Sequence, residues 1–88
     1  MPQSSFEDVK LELDEACAFL RSFTLGRAGF TQQDGLAGIQ RVQAQCDRLK
    51  ELFAAGPNAE GVAVAESSAR AIVVAARTRL DLLRRRTG

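Results

Sequence analysis

The residues that could do chemistry in this 88-residue chain are acids, arginines and two cysteines. Histidine, tryptophan and tyrosine are absent, which removes the commonest general base, the commonest metal ligand and the phenol donor. Two acid pairs could be considered, Glu7 with Asp8 and Glu12 with Glu15. Both fall on a predicted polar helix face, where no apolar surroundings would raise the pKa of a carboxyl group. No serine stands in a nucleophile-elbow pattern. We therefore expect no enzymatic activity, no cofactor and no metal.

Cys17 and Cys46 are the two cysteines, and their spacing matches neither a metal site nor a Cys-x-x-Cys redox motif. Both fall on apolar faces of predicted helices, where free cysteine behaves as a small buried hydrophobe. The alternative is a disulfide between the first two helices, which would need an oxidising compartment.

Gly26 and Gly29 lie three residues apart in a segment that keeps no periodic face. Such a segment resembles a phosphate-binding turn only superficially, because no strand precedes it and no Gly-Lys-Ser/Thr follows it. We interpret Gly26 as the left-handed residue that ends the first helix.

Charge is segregated along the chain. Residues 1–20 carry five acids against one lysine, a net charge of −4, and residues 67–88 carry six arginines against one aspartate, a net charge of +5. Clustered arginines bind nucleic-acid phosphates or anionic lipids, and Arg79, Arg84, Arg85 and Arg86 would carry that function. However, Asp81 and three leucines interrupt the cluster, all five aromatics are Phe at apolar or staple positions, and the pI is only about 7.8. The charges also suit helix dipoles, with acids at a start and bases at an end.

Three segments in which apolar residues recur every three or four positions must position these side chains. They predict helices over about residues 5–24, 32–55 and 59–85, joined by short connections, and so an all-α antiparallel three-helix bundle in a single domain, residues 1–88. The predicted core positions are Phe6, Val9, Leu13, Ala16, Leu20 and Phe23 in the first helix, Leu36, Ile39, Val42, Cys46, Leu49 and Phe53 in the second, and Val62, Ala65, Ala69, Ile72, Ala76, Leu80 and Leu83 in the third.

Polar residues before each apolar segment predict helix starts. Ser4 and Glu7 predict a capping box at the start of the first helix, and Thr31 and Asp34 predict one at the start of the second. Asn58 is the predicted N-cap of the third helix.

The third helix lies in the longest run without Gly or Pro, residues 62–87, and we interpret its segment 62–83 as the central helix of the bundle. Its apolar positions, like Leu11, Ala18 and Leu25 on the first helix, exceed what one small core covers. Surplus apolar surface indicates a partner helix or a second copy. The alternative is that the third helix lies deep in the bundle, so that all of its apolar surface is covered. The predicted partner-binding residues are Val64, Ala71, Val74 and Leu82, with Arg77 and Arg84 attracting an acidic partner.

These observations predict a non-enzymatic protein–protein interaction module, such as an adaptor, chaperone-like or oligomerisation domain. The alternative is a small binder of nucleic acid or anionic surfaces that uses the C-terminal arginines, and steep salt dependence would distinguish it. No apolar run approaches the roughly 20 residues that span a bilayer. The first charged residues are acidic, which favours neither a secretory signal nor a mitochondrial presequence. We expect a cytoplasmic protein.

Overall fold

The computed structural model describes residues 5–87, without the side chain of Thr87, and contains three helices in sequence. They are α1 (Phe6–Thr24), α2 (Gln32–Phe53) and α3 (Ala59–Thr87). Each helix contacts the other two, and residues 5–87 contain no strand. The predicted all-α three-helix bundle is therefore confirmed, with helix bounds within two residues of those expected.

Contacts at the two ends of the bundle give the direction of each helix. At one end, the rings of Phe6 and Phe53 meet edge to face with centroids 5.5 Å apart, and Phe6 Cζ lies 2.7 Å from where a Gly61 Cβ would stand. At the other end, the guanidinium of Arg79 lies beside Gly26. Thus α3 runs in the same direction as α1, and α2 runs opposite to both.

Helix α1 starts at a capping box one residue later than predicted. The Asp8 amide donates to Ser5 Oγ at 3.1 Å, and the Ser5 amide donates to Asp8 Oδ2 at 3.4 Å. The prediction placed the box on Ser4 and Glu7, and that assignment is wrong; Ser4 itself lies outside the described residues. Two serines followed by two acids leave both registers open locally, and only the position of the helix on the core selects between them.

Helix α1 ends at Gly26 as predicted. Gly26 has φ +73, the left-handed conformation that glycine adopts without a Cβ penalty. Its amide donates to the Phe23 carbonyl at 3.0 Å, and the Arg27 amide donates to the Ser22 carbonyl at 3.2 Å. These two bonds form a Schellman motif, which satisfies carbonyls that the helix leaves unpaired.

The predicted start of α2 is confirmed at Thr31. The Asp34 amide donates to Thr31 Oγ1 at 3.2 Å, and the Thr31 amide donates to Asp34 Oδ2 at 2.8 Å. At the start of α3, the Asn58 carbonyl accepts the Val62 amide at 3.0 Å, the backbone bond expected of an N-cap residue.

The core contains most of the predicted stripes. Leu36 was assigned to the core but is 44% exposed. Five other predicted core positions are only partly buried against the core: Phe6, Cys46, Phe53, Ile72 and Leu83. Val73, which was not assigned to the core, is 6% exposed. Because α3 packs on two helices at once, its buried stripe is centred between them, which brings Val73 inward. The buried residues are Val9, Leu13, Ala16, Leu20, Phe23, Ile39, Val42, Leu49, Val62, Ala65, Ala69, Val73, Ala76 and Leu80.

The interpretation of α3 as the central helix is wrong. Helices α1 and α2 form the most extensive pair in the bundle. The five buried residues of α1 are each at most 2% exposed, whereas Ala65 and Val73 of α3 retain 8% and 6%. Helix α3 therefore lies against the α1–α2 pair and keeps one side open to solvent.

Candidate interaction surface

One side of α3 presents an uncharged row of six exposed residues, which we call the outer face. Successive members are four and three residues apart in alternation, so they follow one line along the helix. The row begins with Val64, 67% exposed, and ends with Leu82, 50% exposed. The outer face consists of Val64, Ser68, Ala71, Ala75, Thr78 and Leu82.

The outer face is exposed because of its position on the helix. At 3.6 residues per turn, Ala71 stands about 180° from the direction of Val62 and Leu80, which are buried at 3% and 4% exposure. Helices α1 and α2 cover the buried side and therefore leave the opposite side bare. The expectation that α3 carries more apolar surface than the bundle covers is met at Val64, Val74 and Leu82, which are all at least half exposed.

Val74 lies at the edge of the outer face, 57% exposed, and lines a groove between α2 and α3. The groove has a volume of about 420 Å³, and Cys46 and Val73 contribute to its floor. Glu66 stands in it, accepts a hydrogen bond from Arg70 Nη2 at 2.8 Å and forms an ion pair with Lys50 Nζ at 3.5 Å. The groove is thus bordered by charges, in contrast to the outer face.

The two arginines predicted to attract an acidic partner lie on the α2 side of α3. Arg77 and Arg84 line a smaller groove of about 350 Å³ together with Leu36 and Asp81. The structure therefore divides the six predicted partner-binding residues: Val64, Ala71 and Leu82 share the outer face, Val74 borders it, and Arg77 and Arg84 turn away towards α2.

The four arginines of the alternative function point in different directions around α3. Arg79 is half-buried against Gly26 at the C-terminal end of α1, where a helix dipole favours a cation. Its Nε is buried with no hydrogen-bond partner among the described residues. Arg84 faces α2, and at about 100° per residue Arg85 and Arg86 project to still other sides. The described bundle does not gather them into one basic patch.

Opposite charges mark the two ends of the outer face. Glu60 lies in the first turn of α3 and Arg85 in its last turn, and both are exposed. Their helical angles place both on the side of the row that also carries Ser67 and Val74. Each charge suits the helix dipole at its own end.

The predicted apolar row on α1 is also exposed, with Leu11 at 58% and Leu25 at 64%. Between it and the outer face of α3 lies a groove of about 360 Å³, which is lined by Ala18 of the α1 row and by Val64 and Ser68 of the outer face. Lys10 and Asp14 of α1 also line this groove, and their side chains pair at 3.2 Å. Charged residues of α1 thus stand beside the first part of the outer face, which itself carries no charge.

Cys17 and Cys46 are free and half-buried, as predicted for small hydrophobes. Burial raises the pKa of the Cys17 thiol above its ordinary value, and the carboxylate of Asp14 adds to the shift. Burial likewise raises the pKa of Cys46, assisted by Glu66. Both shifts favour the protonated thiol, which is a poor nucleophile.

Residues 5–87 offer neither a candidate metal site nor a candidate membrane span. This part of the chain holds no group of three or more His, Cys, Asp or Glu side chains arranged to hold a metal ion. None of the three helices, as far as they are described, has a stretch both long and apolar enough to cross a bilayer.

No protein-family model, curated protein or solved structure matches the chain. The surface itself is therefore the basis for a function. Sequence reasoning named Val64, Ala71 and Leu82 but did not connect them with Ser68 and Thr78. The signal was present in the alternating spacing of four and three, which the polarity of these two residues concealed.

Proposed function

We propose that this chain is a non-enzymatic protein–protein interaction module that binds a helix through the outer face of α3. The observation that carries the proposal is the uncharged row from Val64 to Leu82, which covers 18 residue-to-residue steps and therefore about 27 Å of helix. Val64, Val74 and Leu82 are exposed on one helix, and covering them with another apolar surface would lower the free energy.

The shape of the row favours a helix as the occupant. Ser68, Ala71, Ala75 and Thr78 are small, so a second helix axis can approach to about 8 Å, the close end of the usual range. Val64 and Leu82 supply larger apolar contacts at the two ends. An amphipathic helix whose own stripe repeats every three and four residues fits this surface. Adaptor or oligomerisation roles follow from such binding.

The alternative of a nucleic-acid or anionic-surface binder receives less support. Phosphate binding is strongest where several cations share one face, and Arg79 is packed against Gly26 while Arg84 faces α2. Docking on the outer face would depend less steeply on salt than phosphate binding does, because the row itself is uncharged.

A photo-crosslinking amino acid at Ala71 tests the proposal in cells that produce the protein. Ala71 is exposed in the centre of the outer face, and the matched control is the same amino acid at Gln40, which is exposed on α2. We expect a discrete crosslinked product, identified by mass spectrometry, from position 71 and not from position 40. Equal yields at the two positions would show that the outer face binds no helix.

A further inference from the structure

We propose that the occupant of the outer face is a second copy of this chain, docked with its α3 antiparallel to the first. This inference rests on the proposed function and names its partner. It follows from two features of α3: the order of residue sizes along the outer face, and the charges at its ends.

The outer face is symmetric about the position of Val73. When two copies of α3 lie antiparallel around that position, Val64 meets Leu82 of the second copy, Ser68 meets Thr78, and Ala71 meets Ala75. The small residues come together in the middle, where the helices approach closest, and the larger apolar residues close both ends. The 18 residue-to-residue steps from Val64 to Leu82 make five whole turns, so the row stays on one side of a straight helix.

The end charges select the antiparallel arrangement. Glu60 and Arg85 are 25 residues apart, and the midpoint between them falls within one residue of Val73. The two copies of an antiparallel pair are related by a two-fold axis perpendicular to both helices. A residue on one side of the row in one copy therefore lies beside residues on the same side of the row in the other copy. Glu60 of each copy therefore faces Arg85 of the other, which makes two opposite-charge pairs. A parallel pair would instead put both Glu60 side chains at one end and both Arg85 side chains at the other, on opposite sides of the interface. It would therefore form neither opposite-charge pair and would gather like charges at each end.

Val74 adds apolar contact on the same side of the row. It lies one residue from the symmetry centre, so its copy in the second chain lies close by in the antiparallel arrangement. Its 57% exposure in the isolated bundle would then fall. Antiparallel helix dipoles also attract one another, in keeping with the same orientation.

The experiment is the solution mass, measured by light scattering or sedimentation from about 10 μM to about 1 mM at low salt. The variants are Glu60→Arg, Arg85→Glu, the double variant Glu60→Arg/Arg85→Glu, and Ala71→Glu. The control Glu7→Arg reverses a charge in the first turn of α1, an equivalent helix position away from the outer face. Thermal melts confirm that each variant stays folded.

We expect the wild-type chain to dimerise. Each single reversal replaces two attractive pairs by two repulsive ones and should raise the dimer Kd about tenfold or more. The double variant should restore the Kd, because it exchanges the charges without changing their pairing. Ala71→Glu should abolish the dimer, and Glu7→Arg should leave it unchanged.

Three results would overturn the inference. A wild type that stays monomeric throughout excludes the second copy; a crosslink from position 71 to a different protein would then still support the proposed function. A dimer that survives Ala71→Glu uses another surface. A dimer unaffected by the single reversals, or weakened and not restored by the double variant, does not have the antiparallel pairing of Glu60 with Arg85.

Discussion

The ring of Phe23 occupies the space that a side chain on Gly35 would need. A Cβ built on Gly35 would come within 2.5 Å of Phe23 Cζ, far inside van der Waals contact. Phe23 is 2% exposed, so its ring has no free space to move into. Helix α2 therefore approaches the end of α1 closely because residue 35 has no side chain, and the cost of glycine in a helix is offset by this contact.

We expect Gly35→Ala to destabilise the protein by a net amount of about 1 kcal/mol. Overpacking a core costs about 1–3 kcal/mol, which outweighs the gain of roughly 1 kcal/mol in helix propensity. Chemical denaturation measures the free energy of unfolding. Gly56→Ala is the control, because its Cβ would lie 3.8 Å from the nearest neighbouring atom. Equal stability of the two variants would contradict the packing of Phe23 on Gly35.

Gly26→Ala should cost more stability than Gly29→Ala. Both glycines have positive φ, +73 and +90, so alanine is strained at either position by about 1–2 kcal/mol. Only at Gly26 would the new Cβ also lie 3.0 Å from the Arg79 guanidinium. The difference between the two melting temperatures reports what the helix end at Gly26 and the Arg79 contact together add to the strain that both glycines share. If Gly29→Ala is as damaging as Gly26→Ala, they add nothing.

The neighbouring pair Val73 and Val74 tests which side of α3 is buried. Val73 is 6% exposed and Val74 57%. Truncation of Val73 to Ala should cost about 2 kcal/mol from lost burial and the cavity left behind. Val74→Ala should change the monomer's stability by no more than about 0.5 kcal/mol. Denaturation at low protein concentration, where association contributes nothing, makes this comparison, and a reversed order would place the outer face elsewhere.

The capping boxes should make Ser5 and Thr31 important for stability. Each side-chain oxygen accepts a backbone amide, from Asp8 at 3.1 Å and from Asp34 at 3.2 Å. Replacement of either residue by Ala should cost about 1 kcal/mol. Ser67→Ala is the control, since an exposed mid-helix serine gains slightly in helix propensity on that change. If Ser5→Ala leaves the midpoint of unfolding unchanged, Ser5 does not cap α1 and Ser4 is the better assignment.

Stability should fall in alkaline solution partly through the thiols. Burial raises the pKa of Cys17 and Cys46 above the ordinary 9.0, so the unfolded chain loses these protons first. Their contribution is complete below pH 9.0 and is lost as pH rises through the folded-state values. The Cys17→Ala/Cys46→Ala variant should therefore show a shallower decline between pH 8 and pH 10.5 than the wild type. Parallel declines would mean that other groups account for the loss.

Local patterns in the chain were sufficient for the helices and for much of the exposed surface. Apolar residues every three or four positions predicted all three helices, because a helix on a core must present such a stripe. The hydroxyl of Thr31 suits a helix start, and the missing Cβ of Gly26 suits a helix end. Helix α2 begins and helix α1 ends at these residues, as expected. The same periodicity predicted that Val64, Val74 and Leu82 stand outside the core, and they do.

Other features depended on how the helices pack together. Ile72 and Val73 are both apolar and adjacent, so only the direction from which α1 and α2 approach α3 decided that Val73 is the more buried. Leu36 fits the stripe of α2 yet lines an open groove beside Arg77 and Arg84 of α3 and stays 44% exposed. The close contacts of Phe23 with Gly35 and of Arg79 with Gly26 join residues that are far apart in the chain. Spacing along one helix reports which residues share a face; what covers that face is decided by the neighbouring helices in the tertiary structure.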